Sequence, residues 1–147
     1  MNTLGYGKVA QTAISAVSHL AVHYGDGIGL HRAAVIAEER NLSKPLVAKV
    51  LTGLAQAGIV RGEAGRSGGF RLARKPAEVT FFDVVTVFEP QREMPFCPFG
   101  PGWCGTHNPC AVHHDIASMH ASVEGFLKGT NFGVLEIQPP LDKAEKG

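Results

Sequence analysis

No apolar run in this sequence approaches the roughly 20 residues that a membrane-spanning helix requires, so no membrane partner is expected. The opening residues Met1-Asn2-Thr3-Leu4-Gly5 lack the cationic and apolar blocks of a secretory signal. A cytoplasmic protein is the expectation. Cysteine is scarce and odd in number, with three residues confined to the stretch from Cys97 to Cys110. A disulfide framework needs an even count and an oxidising compartment. The cluster therefore reads as metal or redox chemistry. Also missing is a Gly-Lys-Ser/Thr phosphate loop, and no helical pattern follows the glycines at 65, 68 and 69. No oxyanion-forming motif accompanies the cysteines, so neither an enzyme nor a small-molecule substrate is expected.

What is present is an uneven charge distribution. The net charge of +1 conceals +6 over residues 1–76, with ten Lys/Arg against four acids, and −5 over residues 77–147. A basic half suits a polyanionic partner. The 147 residues fit one domain with an appended element.

Leu4, Val9, Ala13, Val17 and Leu20 recur at helical steps, predicting a first helix over residues 4–24 that Gly25-Asp26-Gly27 stops. A second helix is expected over 31–40, and Asn41-Leu42-Ser43 is a turn. Ser43 or Lys44 then caps a third helix, with Pro45 in its first turn and Gly58 as its stop signal. Val47, Val50, Leu51 and Leu54 form its apolar stripe. Ser43, Lys44, Pro45, Ala48, Lys49 and Thr52 fall on the other side. Small residues there permit close approach to a major groove, and the cations and hydroxyls supply donors. Residues 59–63 and 70–74 read as two short strands around a glycine-rich turn that carries Arg66 and Ser67. Helix, turn, helix and hairpin is the winged-helix order, with Arg66, Ser67 and Arg71 placed against phosphates or the minor groove.

Thr80 and Asp83 form a capping box for a helix through Phe88. Residues 89–110 are a long proline-rich loop bearing the cysteines, a length that points to function. A last helix is expected over 111–128. Its Val112, Ile116, Met119, Val123 and Phe126 make a heptad-like seam for pairing with a second copy. Residues from 138 onward read as a disordered tail. The chain thus divides into a winged helix-turn-helix domain (1–88), a cysteine loop (89–110), a dimerisation helix with its C-terminal segment (111–137) and a tail (138–147). The fold class is mainly α with a small β-hairpin wing.

The cysteines are spaced Cys97-x(6)-Cys104-x(5)-Cys110, with His113 following. Thiolates suit iron–sulfur clusters, zinc and copper(I). Cysteine-based zinc sites usually hold a close C-x(2–4)-C pair, which is lacking here. Wider spacing suits a larger inorganic core. Cys110 and His113 stand at i and i+3 on the first turn expected for the last helix and would share a face. That makes His113 the leading fourth ligand. His107, or a group from elsewhere, is the alternative, and His114 with Asp115 could orient an imidazole. His19, His23, His31 and His120 are read as surface or interhelix residues.

Taken in order, several segments resemble the Rrf-type family of bacterial regulators, which includes the iron–sulfur biogenesis regulator IscR and the nitric-oxide sensor NsrR. They are Ile36-Ala37-Glu38-Glu39, Leu54-Ala55-Gln56-Ala57-Gly58-Ile59-Val60 and Gly68-Gly69-Phe70-Arg71-Leu72-Ala73-Arg74. Asp83-Val84-Val85 with Glu89-Pro90, the cysteine triplet and Thr130-Asn131-Phe132-Gly133-Val134-Leu135 complete the set, and the resemblance spans about residues 3–135. It implies a homodimeric repressor that binds a palindromic double-stranded DNA operator. It also implies an iron–sulfur cluster on Cys97, Cys104 and Cys110, with His113 as fourth ligand as in IscR-like members. Gly7-Lys8-Val9 lacks the acid that NsrR-like members offer from the partner subunit, and Ala48 replaces a base-discriminating acid found in some members. The first cysteine spacing is one residue longer than the family's usual five, so 2Fe–2S and 4Fe–4S nuclearities both stay open. The alternative is the same DNA-binding module with a cluster-free thiol or zinc switch.

Overall fold

A computed structural model of the chain describes residues 6–27, 29–90 and 111–137. The element order is α1 (Lys8–Val22), α2 (Ala33–Glu39), α3 (Lys44–Gln56), β1 (Val60–Glu63), β2 (Gly69–Leu72), a 3-10 turn (Pro76–Glu78), α4 (Phe81–Phe88), α5 (His113–Gly129) and α6 (Val134–Ile137). This is a winged helix-turn-helix with a long C-terminal helix. Among the described residues, no helix is long and apolar enough to cross a membrane.

The core is organised around α1, whose buried face is mostly alanine: Ala10, Ala13, Ala16 and Ala21, with Val17 and Leu20. Short side chains let α3 and α4 approach this helix closely, and both pack on it. The stripe expected on α3 is confirmed, with Val47, Val50, Leu51 and Leu54 all fully buried. Helix α1 begins at Lys8, later than the periodicity suggested. The Gly7 amide donates to Glu89 Oε1 at 2.6 Å, which ties its start to the end of α4. Its end comes at Val22, and the Gly25-Asp26-Gly27 stretch forms the following turn.

The α2–α3 turn runs through Asn41 at φ +54°, a left-handed conformation that asparagine tolerates. The Leu42 amide then reaches back to the Ala37 carbonyl at 2.8 Å. Ser43 is the N-cap of α3, although its side chain makes no capping hydrogen bond. Gly58 ends that helix at φ +79°, as a C-terminal glycine should. The wing pairs antiparallel from Val60↔Leu72 to Glu63↔Gly69.

Two features depart from expectation. His31 does not start α2. It forms an isolated antiparallel bridge to Phe70, donating its amide to the Phe70 carbonyl at 2.9 Å and accepting in return at 2.8 Å. The wing thus gains a third strand-like edge. At the other end, Thr80 bridges Asn131, and the Phe132 amide donates to the Val79 carbonyl at 3.0 Å. Phe132 is fully buried and stacked on Phe81, with ring centroids 4.4 Å apart. The segment after α5 is therefore sewn into the core. The capping box on α4 forms as expected, with reciprocal Thr80 and Asp83 bonds of 3.0 Å each.

Helix α5 buries only Leu127 completely and packs on α4. The five residues expected to form a seam divide. Val123 packs against a cluster of Tyr6, Ala10, Val85 and Leu127, and Phe126 meets Phe81 edge to face at 5.8 Å. Val112, Met119 and the rest of Phe126 stay exposed, and Ile116 is half-buried. The proposed cluster loop with its three cysteines, and the expected tail from residue 138, lie outside the described residues.

Candidate nucleic-acid interface and histidine cluster

Burying the α3 stripe forces the opposite face outward. Ser43, Lys44, Pro45, Ala48, Lys49 and Thr52 are all exposed, as the sequence reading required. Thr52 Oγ1 donates to the Ala48 carbonyl at 2.9 Å, which holds that side chain close to the helix surface. Nothing bulky projects between the two cations, so a surface as curved as a groove floor can approach the backbone.

The wing extends this face. Arg66, Ser67 and Arg71 are exposed, with Gly65 at φ +102° turning the tip. Arg32, just before α2, reaches the wing tip, where its guanidinium donates to the Arg66 carbonyl and, at 3.4 Å, to the Gly65 carbonyl. The register sets Arg61 directly opposite Arg71, both exposed. Like charges opposed across a strand pair destabilise it. An external anion would relieve that repulsion. Sequence reasoning missed Arg61 and Arg32. The glycine-turn length that fixes the register could have revealed the first, but nothing local announces the second.

Behind the wing lies a cluster that the sequence reading dispersed. His19 is 2% exposed and His31 9% exposed, so neither is a surface residue. The rings of His19, His23 and His31 stand 4.5, 5.1 and 5.1 Å apart, centroid to centroid. His19 Nε2 is 3.4 Å from His31 Nδ1, and His19 Nδ1 is 3.3 Å from Glu39 Oε2. His23 Nδ1 is 3.0 Å from Asp26 Oδ2. An open cleft of about 550 Å³ lies alongside, lined by His23, Tyr24, His31, Arg61 and Arg71.

Burial, and then the neighbouring His23 and His31, push the His19 pKa down from 6.5 to about 4, with Arg40 adding to the effect and Asp26 opposing it. Glu39 approaches closely but is 54% exposed and well solvated, too weak to reverse desolvation. His31 is lowered as well, first by burial and then by His23. The unfolded chain takes up protons near pH 6.5, whereas folded His19 resists until about pH 4. The contribution of His19 to stability is therefore fully present above pH 6.5 and is lost as pH falls from there towards 4, about 3 kcal/mol in all. Urea unfolding midpoints measured across that range should show the decline. His19→Asn should flatten it, and an unchanged acid limb would remove His19 as its source.

His113 is the first residue of α5, half-buried, with its ring 5.6 Å from that of His114. The helix starts at His113, later than expected, and the expected pairing of Cys110 with His113 on one face lies outside the described residues. Cys97, Cys104, Cys110 and His107 lie outside the described residues. His114 and Asp115 are exposed. His120 Nδ1 is buried and has no hydrogen-bond partner among the described residues.

Residues 7–135 match the family described as Rrf2, iron-dependent transcriptional regulator. The chain belongs to the Rrf2 family. A relative from Aquifex aeolicus (strain VF5), named as an HTH-type transcriptional regulator, is 29% identical over 127 residues, covering 85% of this chain and 86% of the relative. The regulator IscR of Aliivibrio salmonicida (strain LFI1238) is 26% identical over 136 residues, covering 89% and 79%. Among solved structures, CymR, the global cysteine regulator of B. subtilis, superposes with a TM-score of 0.68 at 24% identity, covering 89% of this chain and 95% of that one. Membership of the Rrf2 family makes the protein a transcriptional regulator. Its basic α3 and wing occupy the positions at which a winged helix-turn-helix meets DNA.

Proposed function

We propose that this Rrf2 protein is a homodimeric repressor that reads a palindromic operator with α3 and the wing, and whose grip is set by an iron–sulfur cluster on Cys97, Cys104 and Cys110. The observation that carries the DNA reading is the pairing of opposite faces on α3. Its apolar side is fully buried, and Ser43, Lys44, Pro45, Lys49 and Thr52 are exposed beside Arg66, Ser67 and Arg71. Lys44 and Lys49 serve phosphates, while Ser43, Pro45 and Thr52 are small enough to lie against base edges. The outward strip of Val112, Met119 and Phe126 on α5, with Ile116 beside it, supplies the apolar surface for a second copy.

The donor chemistry suits the cluster. Three thiolates with no close pair favour iron–sulfide over a single zinc ion. His113, at the N-terminus of α5, follows the cysteine segment in the sequence and is half-buried, with its ring 5.6 Å from that of His114. Cys97, Cys104 and Cys110 would hold the cluster, with His113 as the nearest protein candidate for the remaining position. When bound, such a cluster supplies one-electron redox chemistry and sensitivity to oxidants or nitric oxide. The chain's own part is mechanical. The cysteine segment joins α4, which packs on α1 and α3, to α5. A change of charge or order in that segment therefore acts on both the DNA-binding core and the pairing helix. A coupling of about 1–3 kcal/mol, roughly 5–150-fold in affinity, is typical of such linkage.

The test is anaerobic isolation with iron and sulfide counted per chain, followed by binding to a duplex that the protein selects from a random pool. Cys104→Ser should abolish the visible absorption of the cluster and change duplex affinity by roughly 5–150-fold. Colourless protein that stays so after reconstitution, with zinc or a disulfide on the same cysteines, would favour the thiol-switch alternative. Lys49→Ala should weaken binding and reduce the slope of log affinity against log salt by about one unit. An unaltered slope would take Lys49 out of the interface.

A further inference from the structure

We propose that His19, His23 and Glu39 form a second metal site, separate from the cysteines, which binds a first-row divalent transition ion of the zinc or iron(II) class at the root of the wing. A ligand atom from each of the three lies within 4.8 Å of the others. Bond lengths of about 2.0–2.2 Å require donors roughly 3.3 Å apart in a tetrahedral shell. His19 Nδ1 and Glu39 Oε2 already stand at 3.3 Å. His23, half-buried, and Glu39, exposed, can close the remaining gap by rotation of their side chains.

The surroundings match what a metal site needs beyond its ligands. An imidazole ligand is usually fixed by a partner on its other nitrogen. His19 has one, because with Nδ1 toward the ion its Nε2 faces His31 Nδ1 at 3.4 Å. His23 has one in Asp26, 3.0 Å from Nδ1, which leaves Nε2 as its donor atom. Three imidazole rings with centroids 4.5–5.1 Å apart are a poor solution for an ordinary core, which would fill the space with apolar side chains. Two imidazoles and one carboxylate leave positions for water, and the site borders open clefts from which an ion can enter.

The location gives the ion a consequence. His19 and His23 come from the end of α1 and Glu39 from the end of α2. His31, which supports His19, pairs through its backbone with Phe70 of β2, and Arg32 holds the wing tip by the Arg66 carbonyl. An ion here clamps the two helices to the wing's third edge and so restrains Arg66 and Arg71. Metal occupancy would then tune duplex binding independently of the cysteine loop.

The experiment uses the full chain carrying Cys97→Ser, Cys104→Ser and Cys110→Ser, so that no thiolate competes. Chelator-treated protein near pH 7.5 is titrated with zinc(II), anaerobically with iron(II), and with magnesium(II) as a hard-cation control. A single zinc or iron ion per chain is expected, with no comparable magnesium binding. Glu39→Gln, at an exposed position that the fold tolerates, and His23→Asn should each weaken the ion by at least about tenfold, and His113→Ala should not. Amide hydrogen exchange over residues 60–72 should slow when the ion is added. If the triple variant does not fold, the same comparison runs on cysteine-intact protein with cobalt(II), whose non-thiolate absorption should weaken in Glu39→Gln and in His23→Asn and persist in His113→Ala. Absence of stoichiometric binding, equal uptake of magnesium, or indifference to both substitutions would overturn the site.

Discussion

Phe132→Ala is expected to destabilise the protein by about 3–5 kcal/mol, the cost of emptying a fully buried phenylalanine site. Phe132 heads the set of largest fully buried side chains and stacks on Phe81 at 4.4 Å. It enters the core because its amide is taken by the Val79 carbonyl and because the Gly133 amide donates to Asn131 Oδ1 at 2.9 Å, which shapes the turn behind it. Removing the ring opens a void that the short side chains of α1 cannot refill. It also releases the one fully buried side chain among the described residues that follow α5. Because this segment packs α6 on α1, the loss also reaches the helix on which α3 and α4 are assembled. Urea unfolding at fixed protein concentration should show a lower midpoint at unchanged slope. Val134→Ala, at a 47% exposed position two residues on, should stay within about 0.5 kcal/mol of the parent. A loss below about 1 kcal/mol for Phe132→Ala would mean that the core closes without this segment.

The contrast between Phe132 and α3 explains what the sequence could disclose. Helix α3 was legible because every cue was local: Pro45 in the first turn, Val47, Val50, Leu51 and Leu54 at helical steps, and Gly58 as the stop. Its exposed face followed directly, and with it the residues proposed to face DNA. The α4 capping box was legible for the same reason, since Thr80 and Asp83 are three residues apart. Phe132 has no such neighbours. Its burial depends on Val79 and Phe81, some 50 residues earlier, and among the described residues only a four-residue helix follows it. The histidine cluster was hidden in the same way. His19 and His23 share a helix face, but His31 and Glu39 reach them only after the α1–α2 turn folds back. His31 looked like the start of a helix because Ala33, Ala34, Ile36 and Ala37 follow it. The backbone pairing with Phe70 overrides that pattern. Like other isolated bridges, it leaves no periodic trace. Val123 fits a heptad seam by spacing, yet packs on its own Tyr6 and Leu127, because spacing alone does not say which core an apolar residue will join.

Gly69→Ala is the second large effect, roughly 2–6 kcal/mol, and it should strike the wing first. Gly69 sits at φ +149°, a conformation that a side chain makes costly, and strain of this type is worth about 1–3 kcal/mol. A β-carbon there would also stand 2.7 Å from the His31 carbonyl oxygen and 2.8 Å from its carbon, contacts that only movement can relieve. Movement means separating β2 from residue 31. Two hydrogen bonds between His31 and Phe70 would then be lost, at about 0.5–1.5 kcal/mol each. Because the same residue supports His19, the disturbance should spread into the histidine cluster while leaving α3 in place. Hydrogen exchange should therefore quicken at residues 60–63 and 69–72 and remain slow at Val50, Leu51 and Leu54. Duplex affinity should fall along with wing protection, since Arg66 and Arg71 would no longer be held at a fixed distance from Lys44 and Lys49. Gly65→Ala is the control. It lies at φ +102°, where a β-carbon has nothing within 4 Å, so it carries the dihedral strain without the collision with His31. If the two variants lost equal stability and equal affinity, the His31 bridge would have no part in positioning the wing.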